Sequence, residues 1–377
     1  MSFFWFIFPL LVFFFAYFGD ESKTKNQEVS KYSRVLLWLT LSTVLATCGS
    51  VYTDHATYHD FYYYFSKTRG IEFSNVGELF LVKNPGLDSP VENGFAFLVW
   101  IIGKLGFSHI GFFFIIGGIT NLFIIKAFYR FRYPAIVFLL YILSVHYQQE
   151  FNLIRQMMVV AVAFYSLKYI EESNWKKYLL FLIVAFLFHQ TSIILLTFLP
   201  LCFVKDYSKF WKTAKIVLSV LFAFSVLVAL RKIPFDLTWI TMYFDLYAGY
   251  VSNEDQIGVG DQSINLLYNF IVLLTLLLYK KENSRLIYVI FMILGCIISN
   301  VAVQTPNLNR IALYFSIAYV PLVPSLLGDG YLFKKKSTSK LSLGLYVLFS
   351  CSVILKFIFV GNNIIGSKIE NIFNFFI

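Results

Sequence analysis

FNLIRQMMVVAVAFYSLKYI, residues 151–170, is an apolar run of membrane-crossing length whose polar side chains gather at its start. Read as a helix from its first residues, it places Asn152, Arg155 and Gln156 at i, i+3 and i+4, on one face. An arginine is costly against lipid, so Arg155 is expected to face a wet cavity or a charged ligand. HYQQE, His146 to Glu150, comes directly before. An imidazole, a carboxylate, amides and a guanidinium therefore collect at one membrane edge, as an active site for an anionic substrate would require.

Composition sets the class around this run. The 377 residues are 58% hydrophobic and 20% aromatic, with only 14% charged. Mean hydropathy is +0.70. A soluble protein cannot cover that much apolar surface, so the chain reads as a polytopic membrane protein, a single integral membrane domain over 1–377. The net charge of +10 lies in short loops, as expected of cytoplasmic membrane loops, and does not imply nucleic acid. Cys48, Cys202, Cys296 and Cys351 sit in apolar runs without CxxC spacing, which indicates neither a disulfide framework nor a zinc site. The first apolar run, Phe3 to Phe18, lacks a basic start and reads as a retained helix.

Apolar runs near 3–18, 35–52, 110–128, 134–147, 152–170, 215–230, 264–279, 286–302, 311–328 and 341–360 each predict a spanning helix. Two stretches fit less simply. Residues 93–107 are either a short span or a re-entrant segment. Residues 178–203 exceed one straight span and are interrupted by His-Gln-Thr-Ser at 189–192, which predicts one long tilted helix or a broken hairpin. The fold class is all-α, a polytopic helical membrane bundle of roughly ten to twelve spans with room for re-entrant segments among them. Basic loops assign the cytoplasmic side, which leaves outer loops near 53–92 and 234–263. On that assignment Asp60, His146, Glu150, Asn152, Arg155, Gln156, Asn307 and Arg310 share the outer side.

Each polar residue has a functional and a structural reading. Arg155 binds phosphate with its fork of donors, or snorkels to the interface. Arg310, with Asn307 three residues before it, is a second phosphate ligand or an edge anchor. His189 is a functional group inside the membrane or a helix-to-helix hydrogen bond, and a helix break there favours function. Asp60, His59, His146, Glu150 and His189 are candidates for a general base. His55 and His59 resemble a metal pair but lack any HExxH context. The tyrosines of YHDFYYYF suit an interfacial belt or sugar stacking. Glu92 contributes a carboxylate to the site or opens a helix.

Taken together, YHDFYYYF (58–65), Glu-x-Gly-Phe (92–95), FNLIRQ (151–156), FHQTS (188–192) and NRIALYF (309–315) resemble the EpsG family, the Wzy-like polymerases of bacterial exopolysaccharide, capsule and O-antigen. Asn152, Arg155 and Gln156 match the family's N-x-x-R-Q helix start. His189 with Thr191 or Ser192 matches its H-x-S-like element. The resemblance implies a multi-pass protein of the bacterial inner membrane. Its substrate would be an oligosaccharide repeat unit on undecaprenyl pyrophosphate. The growing glycan passes from its lipid diphosphate to a new unit on the outer face. Arg155, His189, Asp60 and Glu150 are the catalytic candidates. Asn152, Gln156, Arg310, His146 and Asn307 are the binding candidates. No cofactor or metal is implied, because the donor is already activated. A flippase and a chain-length regulator are implied partners. The competing classes are a lipid-linked oligosaccharide flippase, a membrane O-acyltransferase and a glycan ligase. A flippase should spread charge along a path, often with repeat symmetry, and no repeat is evident here.

Overall fold

A computed structural model of the chain describes residues 4–24, 26–48, 55–67, 81–82, 91–235, 266–279, 285–305 and 308–328. The expected run at 341–360, Asp54, Asn307 and most of both outer loops lie outside the described residues. Among the described residues the fold is all-α apart from one antiparallel ribbon of two short strands. The described residues fall into two compact units, Met1–Phe203 and Val204–Leu345.

The first unit contains α1 (Phe4–Phe18), α2 (Gln27–Cys48), α3 (His55–Lys67), α4 (Asn93–Lys104), α5 (His109–Phe128), α6 (Pro134–Leu143), α7 (Val145–Asn152), α8 (Ile154–Glu171) and α9 (Trp175–Phe188). A 3-10 helix, Gln190–Phe203, follows α9. Strand β1 (Leu81–Val82) pairs antiparallel with β2 (Val91–Glu92), Leu81 opposite Glu92. Local chemistry places the helix starts. The side chains of Ser108, Ser144 and Asn174 accept hydrogen bonds from backbone N–H groups at the starts of α5, α7 and α9. Gly117 and Gly118 let α5 press against α2, where Trp38 Nε1 donates to the Gly118 carbonyl at 2.7 Å.

Two sequence expectations change shape here, and a third, the short segment at 93–107, takes form. Residues 152–170 are not one helix. α7 ends at Asn152, Leu153 turns at φ −104 and ψ 52, and α8 begins at Ile154. Asn152 thus belongs to the helix before Arg155, so the shared-face argument fails: Arg155 and Gln156 are consecutive on α8 and point about 100° apart. At the break both backbone groups of Leu153 stay paired: its N–H donates to the Gln149 carbonyl at 2.7 Å, and its carbonyl accepts from Met157 N–H at 2.8 Å. The 134–147 run likewise stops early, because Ser144 leaves α6 to cap α7. α4 has 12 residues, which at ~1.5 Å each falls well short of a ~30 Å hydrocarbon core.

Residues 175–203 form the broken hairpin. His189 ends α9 in extended conformation, φ −161 and ψ 112. The 3-10 helix then runs back along α9. Tyr178 Oη donates to the Leu195 carbonyl at 2.9 Å, and the rings of Trp175 and Phe203 lie 6.3 Å apart. A straight continuation would separate both pairs by more than 20 Å, on the order of 1.5 Å per residue.

The second unit contains α10 (Tyr207–Ala229), α11 (Leu266–Leu278), α12 (Leu286–Val301), α13 (Leu308–Ser316) and α14 (Tyr319–Gly328). Asn269 and Asn300 exchange amide hydrogen bonds at 2.9 and 2.7 Å, and Asn300 also donates to Ser225 Oγ at 3.1 Å. These bonds join three helices in an apolar setting. The expected 311–328 run breaks between Ser316 and Tyr319. Pro321 explains this, because its ring would clash with the carbonyl of residue 317 in a continuous helix.

Helices α5 and α10 are long and apolar enough to cross a membrane. On α10, Ile216, Val220, Phe224 and Leu227 form an exposed stripe at helical spacing, a face suited to lipid rather than water.

Candidate functional site

Four elements of the first unit meet around Glu92. The strand pairing of β2 delivers the residue to the start of α4. Glu92 holds the cap position there, with φ −65 and ψ 137, yet its side chain makes no capping hydrogen bond. Oε2 instead lies 2.5 Å from Nη1 of Arg155, in the first turn of α8. Oε1 lies 2.8 Å from Nδ1 of His189, at the fold-back after α9. The Gln190 backbone N–H donates to the same oxygen at 3.4 Å.

Gly94 makes this approach possible. A Cβ at that position would stand 2.5 Å from the Leu187 carbonyl oxygen, so only glycine lets α4 come this close to the end of α9. The charged cluster is largely enclosed, with side chains 16% (Arg155), 8% (Glu92) and 17% (His189) exposed. The rings of Phe61, Phe95 and Tyr58 surround the guanidinium at 5.5, 5.7 and 5.9 Å from their centroids. Tyr58 and Phe61 are three apart on α3 and therefore face the same way.

Burial works to raise the Glu92 carboxyl. The Arg155 charge and the His189 hydrogen bond outweigh it and hold the group at about 2. Glu92 is thus an ionised acceptor and a poor base. Because an ionised carboxylate only accepts, His189 carries its hydrogen on Nδ1 and, when neutral, a lone pair on Nε2.

The other candidates occupy different settings. Glu150 is 1% exposed in α7 and shares a hydrogen bond with the Tyr141 hydroxyl. Burial pushes its carboxyl up to about 8, against hydrogen bonds from Tyr141 and Asn121. His146 is buried, with Nδ1 3.4 Å from Ser144 Oγ. Asp60 is exposed on α3, 3.7 Å from His59 Nδ1. The His59 ring lies 5.3 Å from that of His109. Asn152 ends α7, while Gln156 is buried on α8. Arg310 sits near the start of α13 in the second unit. Ser192 is buried, and its backbone N–H donates to the His189 carbonyl at 3.1 Å. Among the described residues no three His, Cys, Asp or Glu side chains gather as a metal site.

Sequence reasoning singles out Arg155 and His189 and offers Glu92 as a carboxylate of the site or a helix start, but leaves out its pairing with both and the aromatic ring around Arg155. The signals were the Glu-x-Gly-Phe motif and the i, i+3 spacing of Tyr58 and Phe61.

Two helices long and apolar enough to cross a membrane, in an apolar and, among the described residues, almost wholly helical chain with a largely enclosed Arg–Glu–His cluster at a broken hairpin, fit the class of membrane proteins with an enclosed polar site. The family model for the EpsG family matches residues 31–369, nearly the whole chain, and the chain belongs to that family. Membership makes it a membrane protein of polysaccharide biosynthesis. No curated protein and no solved structure matches it significantly.

Proposed function

We propose that this protein is a polysaccharide polymerase of the bacterial inner membrane, one integral domain of roughly ten to twelve spans. It transfers a growing glycan from undecaprenyl pyrophosphate to a lipid-linked repeat unit on the extracytoplasmic face. The observation that carries this reading is the cluster at the hairpin fold-back, where Arg155 and His189 meet on one carboxylate, 2.5 and 2.8 Å from its two oxygens.

The reaction needs two things that these groups supply. Negative charge grows on the departing diphosphate, and a preorganised guanidinium stabilises it. The acceptor hydroxyl must lose a proton, and the imidazole Nε2 of His189 is a suitable general base. His189 is favoured over the other basic candidates because it shares a carboxylate with Arg155. Glu150, held protonated by burial, is a poor base at neutral pH. Gln156 follows Arg155 on α8 and can orient substrate oxygens. Asn152, His146, Asn307 and Arg310 remain proposed substrate contacts, and a flippase and a length regulator remain proposed partners.

The deciding experiment is glycan chain length in a strain lacking this gene. Single repeat units in place of a ladder are expected. Loss of surface glycan with units trapped on the cytoplasmic face would make the protein a flippase. An unchanged ladder lacking one substituent would make it an acyltransferase.

A further inference from the structure

Glu92 touches two partners of different chemistry, and it comes from an element that carries neither. It precedes α4, whereas Arg155 opens α8 and His189 follows α9. The separation along the chain is 63 residues to Arg155 and 97 to His189. Helix capping does not account for it, since its side chain makes no cap hydrogen bond. Stability is a weak reason too, because buried ion pairs gain little over well-packed apolar residues. Three other features serve the same placement. The β1–β2 pairing fixes the backbone at Glu92, Gly94 lets α4 approach the fold-back, and the Gln190 N–H steadies Oε1.

Sharing one carboxylate between a cation and an imidazole has a chemical consequence. It holds the His189 tautomer with Nε2 available, and it holds the guanidinium close to that ring. An arriving diphosphate then meets a cation already in place and competes with Glu92 for it.

The geometry points to Glu92 as the positioning residue of the transfer, the one carboxylate that presents His189 Nε2 to the acceptor hydroxyl and keeps Arg155 beside the departing diphosphate. This inference rests on the polymerase reading. In the step it serves, the acceptor oxygen bonds to the anomeric carbon. The bond from that carbon to the diphosphate oxygen breaks, and its electron pair leaves with the lipid diphosphate. The hydroxyl proton passes to His189 Nε2 and then to water.

The test uses the full chain in lipid nanodiscs, with undecaprenyl-diphosphate-linked single repeat units extracted from the deletion strain as substrate. Wild-type protein must first extend them. If it does not, the polymerase reading fails, whatever Glu92 does. With wild type active, Glu92→Gln is expected to lower kcat by about 10²-fold while the donor KM stays within about threefold or falls. A fall in KM fits removal of the competing carboxylate. Glu92→Asp should recover part of kcat, since it restores charge one methylene short. A Glu92→Gln enzyme with wild-type kcat, or one whose only change is a higher KM, overturns the proposal. If Glu92→Gln does not accumulate as folded protein, Glu92→Asp decides. A loss of about tenfold in kcat at unchanged KM supports the proposal, and an unchanged kcat overturns it.

Discussion

His189 Nδ1 lies 2.8 Å from Glu92 Oε1, although 97 positions separate the two residues. The contact ties the apex of a helical hairpin to the point where the chain leaves a β-ribbon and enters a short helix. An imidazole held in this way has one nitrogen committed and the other free for chemistry. Substitution His189→Gln is therefore informative. Glutamine can still donate a hydrogen bond toward Glu92 but offers no basic nitrogen. Turnover is expected to fall by about 10²–10⁴-fold with a normal yield of folded protein. On a gel of cellular glycan this reads as single repeat units. A full-length ladder from the variant would remove His189 from the chemistry.

The Arg155–Glu92 pair is enclosed enough for its two charges to depend on each other. Arg155→Met leaves a buried carboxylate with the imidazole and the Gln190 N–H but no full positive charge beside Oε2, and a cost of about 3–5 kcal/mol is expected. Replacing both, Arg155→Met with Glu92→Leu, removes the stranded charge and should recover most of that loss. Thermal unfolding of the single and double variants in nanodiscs measures this directly. Losses that simply add would mean that the two residues are not energetically coupled. Activity should be low in all three variants, including the double variant whose stability recovers, which separates a stable scaffold from a working site.

The prominent parts of this site were legible in the sequence because lipid makes them so. A guanidinium at 155 and an imidazole at 189 stand out against apolar neighbours, and a stretch from 178 to 203 is too long for one crossing. Of the two readings of that stretch, one long tilted helix or a broken hairpin, the structure has the hairpin, with the break at His189. What could not be read is which distant group meets them. Glu92 fits a helix start equally well, and its choice of Arg155 and His189 depends on how α4 packs against α9. The kink at Leu153 was also hidden, since no proline or glycine marks it, and the shared face assigned to Asn152 went with it. By contrast, Pro321 did signal the break after α13, though the apolar run around it reads as continuous.

Gly94 tests whether that packing matters. Its absent Cβ would stand 2.5 Å from backbone at Leu187, which cannot rotate away as a side chain would. Gly94→Ala should push α4 from α9 and lower stability by about 1–3 kcal/mol. The same shift draws Glu92 away from His189. Activity is therefore expected to fall further than the loss of folded protein explains, when turnover is normalised to folded enzyme. A Gly94→Ala enzyme of normal specific activity would show that the close approach serves stability alone.

Glu150 invites a pH experiment. α7 has eight residues, and within it the Glu150 carboxyl is buried and shifted from 4.5 up to about 8. A raised carboxyl means that the folded state holds a proton which the unfolded state releases at lower pH. The stability it allows is complete below about 4.5 and is lost as pH rises toward about 8. Glu150→Gln replaces the neutral acid with a neutral amide of the same shape, still able to meet Tyr141 and Asn121. The variant should match wild type in thermal stability below the lower pKa. Its advantage should widen with pH up to about 8 and then stay constant. A constant difference at every pH would mean that Glu150 does not bind its proton more tightly in the fold. An advantage that shrinks with rising pH would mean that Glu150 is ionised and paired, and it would then regain its place among the candidate bases.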